Sequence, residues 1–359
     1  MLALGALDAM LSEADIRLAK ELGSAVVGDV DHRSVSLADL DGSIIASSSN
    51  DQLGNAEAVA RATLSAFPTL VEGDAVVLSD PYSGSAHVQD HWIASPLCAD
   101  GSPVALVLVQ SHMADVGGQA FGNYYPNARD VWQEGVVTTP VRLVRAGQLE
   151  RDVLETLKLN SRVPVLMDHD VPLMTEVARH LVDALSAELV RVEGAAQVAT
   201  ARERMRELAA QITEEARLEA VVHNCAGLDP TVVVRVAPGS GNVVVDLSES
   251  SSQVDPGFIN STLATTRSAI ARAFIDYTGA PSNSGVLAEL DIRTVPGSVI
   301  DCTSSVAVGW SPFEPSFTVI DLIRDVLSKS AEPAVALRVR EPVRPPVRID
   351  GCRAEGCTF

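Results

Sequence analysis

An α+β protein with mixed sheets and a long central helical segment is what this sequence predicts, and three observations predict it. Residues 75–78 and 104–109 are unbroken apolar runs of strand length, the pattern of strands buried on both faces. Residues 171–222 hold a helical period, with no proline after Pro172. Beyond Gly227 the apolar pattern returns to short strand-like runs.

The elements follow in order. Leu7, Met10, Leu11, Ile16, Leu18, Ala19 and Leu22 form a helical stripe. Val35 and Leu37, the turn Asp39-Leu40-Asp41-Gly42, then Ile44, Ile45 and Ala46 predict a β-hairpin. A helix is expected over 55–67, stopped by Pro68. In the central segment Gly194 is the weakest point, so two helices or one bent helix are expected there. Strands at 231–236 and 242–247, joined by Pro238-Gly239-Ser240-Gly241, precede a helix over 262–277, a strand over 290–295 and a helix over 317–328. The chain divides into an α/β region at 1–170, a helical segment at 171–227, a second α/β region at 228–331 and a Pro- and Arg-rich tail at 332–359, expected to be loose. There is no internal repeat.

Composition bounds the function. The 359 residues are 47% hydrophobic and 21% charged, which suits a globular protein rather than a disordered one. The formal charge of −20 repels phosphate backbones and anionic lipid, so neither nucleic acid nor membrane is an expected partner. Residues 1–7 are apolar but lack a basic leader, and the run at 104–109 is far too short to span a bilayer, so a cytoplasmic location is expected. Five scattered cysteines, Cys98, Cys225, Cys302, Cys352 and Cys357, are too few and too irregular for a disulfide framework. Cys98 and Cys302 sit beside apolar residues and read as small core residues before they read as nucleophiles.

Chemistry concentrates in two segments. Asp80-Pro81-Tyr82-Ser83-Gly84-Ser85-Ala86-His87-Val88-Gln89-Asp90-His91 follows the first buried run, and Ser111-His112-Met113-Ala114-Asp115-Val116-Gly117-Gly118 follows the second. If both runs lie in one sheet, His87, Asp90, His112 and Asp115 converge. Such a mixed nitrogen and oxygen set suits Zn, Mn or Fe better than Ca or Mg, which prefer oxygen alone. A single loop His or Asp equally serves as a helix cap or a backbone hydrogen-bond partner. The chain carries no Walker A loop, dinucleotide fingerprint or Gly-x-Ser-x-Gly elbow, so any ATP is expected to bind elsewhere.

The pattern Asp-Pro-Tyr-x-Gly-x-x-His-x-x-Asp at 80–90, followed by His-x-Ala-Asp-Val-Gly-Gly at 112–118, resembles the signature of the hydantoinase B / oxoprolinase family, which includes N-methylhydantoinase subunits and acetone carboxylase alpha subunits. The likeness continues through Gln133-Glu134-Gly135, Pro140-Val141-Arg142-Leu143, residues 159–164, Gln253-Val254, Asn260 and Thr265-Thr266-Arg267-Ser268-Ala269, and spans about residues 8 to 325. It implies a hydantoinase B-like fold working beside an ATP-binding hydantoinase A-type partner in a hetero-oligomer. In such pairs ATP on the partner activates a carbonyl or bicarbonate, and the metal-bearing subunit completes hydrolysis of a cyclic amide of hydantoin, 5-oxoproline or lactam type. Ketone carboxylation is the alternative the same resemblance implies, and a catalytically reduced structural or regulatory homologue is a third.

Carried over position by position, the resemblance makes His87, Asp90 and His112 the ligands of a divalent transition metal, Zn or Mn, with Fe also compatible. Asp31 stands nearest to the family's further acidic ligand, with His32 beside it, in a segment (Gly28-Asp29-Val30-Asp31-His32-Arg33-Ser34) shorter than the family's Glu-Arg-x-Asp-Phe-Ser type. Asp115, expected to orient a ligand histidine or water, and His91 are the candidate catalytic side chains. Gly117 and Gly118 are expected to admit substrate close to the backbone, and Arg267 to bind an anion or form a structural ion pair. The resemblance, read over these residues, does not reach the glycine-rich C-terminal segment with which typical, longer members end.

Overall fold

The computed structural model describes residues 5–24, 33–223, 227–303 and 305–330. The positions of Asp31 and His32, and the expected tail, lie outside the described residues.

Helix α1 (Ala6–Glu21) buries Leu7, Leu11, Ala14 and Leu18, the stripe its spacing predicts. The hairpin forms as β1 (Arg33–Ala38) and β2 (Ile44–Ser47), antiparallel, with Asp39 and Asp41 accepting turn amides. Helix α2 (Leu53–Ala66) is followed by β3 (Ala75–Leu78). Next come β4 (Asp90–Ala99) and β5 (Ser102–His112), paired antiparallel along their whole length. A short helix α3 (Val131–Glu134), strands β6 (Val141–Arg145) and β7 (Gln148–Leu149), and helix α4 (Arg151–Leu159) complete the first half. Among the described residues these strands form one seven-stranded sheet, ordered β2-β1-β5-β4-β3-β6-β7.

The central segment differs from expectation in two ways. It breaks not at Gly194 but between α5 (Pro164–Ala184) and α6 (Ala187–Ala209), where the Ser186 hydroxyl accepts the Leu189 amide and starts the second helix. Gly194 lies inside α6, where the absence of a side chain lets the helix approach Ile45 of β2. The helical stretch also ends before residue 222, because residues 216–221 are strand β8 (Ala216–Val221). That strand pairs with β9 (Thr231–Pro238), and its neighbour overrides the weak helical periodicity of the segment.

Strand β10 (Val243–Asp246) pairs antiparallel with β9 and parallel with β11 (Leu290–Arg293), giving a four-stranded mixed sheet ordered β11-β10-β9-β8. Helix α7 (Leu263–Thr278), capped by Thr262, a single turn α8 (Ser284–Leu287) and helix α9 (Ser316–Ser330) accompany it. Two apolar cores result. One lies between the large sheet and α1 and α5, holding Leu7, Leu18, Ile93, Val107, Val109 and Val171. The other lies on the opposite face, where α2, α7 and α9 stack between the two sheets around Trp92, Leu108, Ala271, Phe274 and Ile323. Among the described residues no helix is long and apolar enough to cross a membrane.

Candidate metal centre

The two polar segments meet because β4 and β5 are neighbours. Strand β4 was not expected, yet it brings the segments together: Asp90 opens β4, His112 closes β5, and the two are direct partners across the ladder. Side chains alternate along a strand. Trp92, Ala94, Leu106 and Leu108 face the core shared by both sheets, so Asp90, Gln110 and His112 share that face. Ile93, Val107 and Val109 face the α1/α5 core, and His91 and Ser111 belong with them.

His87 comes from the segment between β3 and β4, which is locked in place by its own polar groups. Asp80 caps the turn Pro81–Ser83 by accepting from the Tyr82 amide at 2.9 Å and the Ser83 hydroxyl at 2.6 Å. Ser311 Oγ donates to the Ala86 carbonyl at 2.6 Å, tying the segment to the one that precedes α9. The buried His87 ring places Nδ1 3.1 Å from the Gly309 carbonyl and Nε2 3.3 Å from Asp90 Oδ1. A carbonyl only accepts, so Nδ1 carries a hydrogen, and a neutral His87 turns the lone pair of Nε2 toward the carboxylate. Two acceptors at that separation repel unless a cation or a proton stands between them. Asp90 Oδ1 also accepts from Gln110 Nε2 at 2.9 Å, which fixes the carboxylate's orientation.

His112 completes the group. Its ring centroid is 5.0 Å from that of His87, and its Nε2 is 3.2 Å from the Tyr124 hydroxyl. Burial lifts the Tyr124 phenol above its ordinary value, so the hydroxyl keeps its hydrogen and can pair with either tautomer of His112. Among the described residues no three His, Cys, Asp or Glu side chains form a ready metal shell; His87 and Asp90 make a pair, with His112 beside it. The donor set, two imidazoles and a carboxylate held by polar neighbours, fits a divalent transition metal in kind. An aromatic wall adjoins it: Trp310 meets Tyr124 edge-on at 5.2 Å and packs on Phe258 and Phe313 at 5.6 and 4.4 Å.

The other expected residues are placed differently. Asp115 contacts neither histidine; its carboxylate accepts from the amides of Gly117, Gly122 and Arg162 and from the Arg162 guanidinium, which makes it the anchor of its own loop. His91 is buried beside the α1/α5 core, on the face of the sheet opposite its chain neighbour Asp90, and burial pushes its pKa down to about 4, so it is a neutral core histidine whose side chain turns away from the cluster. Gly117 and Gly118 have φ of +88° and +74°, and a Cβ on Gly118 would lie 2.5 Å from the backbone of Glu134. Their smallness lets the loop close on the protein's own chain. Arg267 pairs with buried Glu57 at 2.9 Å, the structural alternative of the two readings. Cys302 is buried, and desolvation pushes its thiol up to about 12, as befits a core residue.

Sequence reasoning did not single out Tyr124, Gln110 or Glu134. Glu134 lies in the quoted Gln-Glu-Gly motif, but nothing local reveals its role. It is fully buried and accepts from the amides of Val308 at 2.9 Å and Gly309 at 2.6 Å. Burial pushes its pKa up to about 8 despite those two bonds.

Known proteins share this arrangement of elements. The sequence is 26% identical over 278 residues to the 5-oxoprolinase PfmaA of Pestalotiopsis fici, covering 71% of this chain and 21% of that protein. It is 24% identical over 286 residues to caprolactamase subunit beta of Pseudomonas jessenii, covering 73% and 47%. The chain thus spans about half or less of the length of these relatives. In fold it matches the crystal structure of the ATP-dependent caprolactamase from Pseudomonas jessenii with a TM-score of 0.81 at 22% identity, over 91% of this chain and 59% of that one. It matches the nucleotide-free structure of acetone carboxylase with a TM-score of 0.74 at 18% identity, over 85% and 44%. The family model described as Hydantoinase B/oxoprolinase matches residues 3–340, nearly the whole length, and with the motifs and the fold in agreement this chain belongs to the hydantoinase B/oxoprolinase family.

Proposed function

We propose that this chain is the metal-bearing subunit of an ATP-dependent hydrolase of cyclic amides, of hydantoin, 5-oxoproline or lactam type, acting with an ATP-binding partner of hydantoinase A type. The observation that carries the reading is the convergence of His87, Asp90 and His112 at one end of the β4/β5 pair, with His87 Nε2 facing Asp90 Oδ1 at 3.3 Å. These residues would hold a Zn, Mn or Fe ion. Such an ion supplies Lewis-acid chemistry, polarising a carbonyl and making water a stronger acid. Asp90, held by Gln110, contributes the negative charge that balances a cation in a buried place. Tyr124, kept protonated by burial, offers a hydrogen-bond donor on the same face, while Trp310, Phe258 and Phe313 form an apolar wall that excludes water. The likeness to a protein named caprolactamase subunit beta favours an enzyme of more than one chain, with ATP held outside the described residues.

The test has two arms. Purified chain should contain about one equivalent of transition metal by elemental analysis, and His87→Ala and His112→Ala should each remove most of it. Equal metal content in all three proteins sinks the metal assignment. Turnover of hydantoins, 5-oxoproline or lactams should then need the partner and ATP together. ATP-independent turnover by the isolated chain refutes the two-subunit reading, and consumption of a ketone with bicarbonate in place of amides moves the assignment to carboxylation.

A further inference from the structure

The segment 305–311 approaches the histidine cluster from a distant part of the chain, and one buried carboxylate holds it there. Helix α3 is stitched to this segment at its start, where Asp130 bridges Val306 and the Val131 amide donates to the Ser305 carbonyl. At its end Glu134 takes both amides of the Val308-Gly309 step, one on each carboxylate oxygen. The carbonyl of that same Gly309 accepts from His87 Nδ1 at 3.1 Å. Glu134 is therefore one peptide unit removed from the imidazole without touching it.

We propose that Glu134 is a positioning residue for His87: by clamping the two amides it aims the Gly309 carbonyl at Nδ1, and so fixes which ring nitrogen His87 turns toward Asp90. Two features favour this over simple packing. A carboxylate with no solvent exposure is an expensive way to fill space, so what holds Glu134 there is the pair of amides it accepts and not its volume. The geometry around Gly309 is also tight, since a Cβ there would stand 2.6 Å from Glu134 Oε1 and 3.0 Å from Phe258, so carboxylate, glycine and imidazole form one fitted chain. A ring nitrogen held by a carbonyl on one side presents a defined lone pair on the other, which is the condition for a metal-binding histidine.

The inference about the ring nitrogen concerns the chain alone; its consequence for metal affinity rests on the proposed function. The experiment uses full-length chain labelled with ¹⁵N-histidine and stripped of metal by chelation, with the His87 signal assigned by its loss in His87→Gln. Long-range proton–nitrogen correlation under mildly alkaline conditions should show a single Nδ1–H tautomer in the wild type. Glu134→Gln keeps the shape but sets an NH₂ against one of the two amides, and should shift His87 to a mixture of tautomers. Glu134→Asp, which keeps both acceptors, should restore the wild-type signal in part. Titration with Co²⁺ should then give an affinity about 10- to 100-fold weaker in Glu134→Gln than in the wild type. A folded Glu134→Gln with the wild-type His87 tautomer overturns the proposal. If that variant does not fold, Gly309→Ala decides: it displaces the carboxylate without removing it, and an unchanged tautomer there also overturns the proposal. A wild type that binds no Co²⁺ defeats the proposed function, while the tautomer arm still tests Glu134.

Discussion

Replacing Asp115 with alanine should destabilise the protein by about 3–5 kcal/mol, the cost of removing one partner from a buried, charge-assisted network. The magnitude follows from the donors that would be stranded. Asp115 is 1% exposed, and it accepts the Gly117 amide at 3.1 Å, the Gly122 amide at 3.1 Å and the Arg162 amide at 2.9 Å, besides the Arg162 guanidinium. The guanidinium counts least, because the Arg162 side chain is 36% exposed and regains water when its partner is lost. The three amides count most; a bond to an ion is worth about 1.5–3 kcal/mol, and the three do not add in full because the half-buried Gly117 and Gly122 amides regain water when the side chain is removed. Asp115→Asn keeps the shape but turns an NH₂ toward donors, and should cost about 2–3 kcal/mol. Urea unfolding of wild type, both variants and Arg162→Met measures this, with the m-value showing whether the unfolded state has changed. Co²⁺ affinity separates the two roles of Asp115. A loop anchor leaves it close to wild type in Asp115→Asn, whereas a residue that orients a ligand histidine lowers it about 10- to 100-fold. A cost for Asp115→Ala below about 1 kcal/mol at constant m refutes the anchoring argument.

His91 offers a pH test. Its folded pKa is lowered to about 4 from an ordinary 6.5, so the folded state binds that proton less readily than the unfolded one. The contribution is full above 6.5 and is lost as pH falls through 4, amounting to about 3 kcal/mol; the stability difference between wild type and His91→Gln, followed by urea unfolding across that window, should show this slope. Gly118→Ala should cost about 2–4 kcal/mol, since a side chain there is strained at φ +74° and strikes the backbone of Glu134, and a stability within experimental error of wild type would contradict the packing described. Cys302, with its thiol pushed up to about 12, should resist iodoacetamide in the folded chain and react after denaturation, as mass spectrometry of the modified peptides would show.

Much of the fold was legible because it rests on local periodicity. The stripe of α1, the β1/β2 hairpin with its aspartate turn, the four-residue run of β3 and the Thr262-capped α7 each carry their pattern within a few residues. The ligand candidates His87, Asp90 and His112 were legible too, as residue types spaced in a motif. What hid β4 is its composition: Asp90, His91, Ser95 and Pro96 interrupt the apolar pattern, and a proline demotes a strand assignment, although Pro96 is accommodated because the β3 ladder ends at Ala94 and only β5 pairs with it there. The end of the central helical segment was misjudged for the same reason, because only the ladder to β9 makes residues 216–221 a strand. The pairing of Asp90 with His112, the tie of Asp115 to Arg162 and the clamp of Glu134 on Gly309 are all contacts over tens to hundreds of residues. Residue type and spacing determine which groups are available for chemistry. Which oxygen meets which nitrogen is decided only when distant segments pack, because hydrogen bonds and buried charge depend on tenths of an ångström that no local pattern encodes.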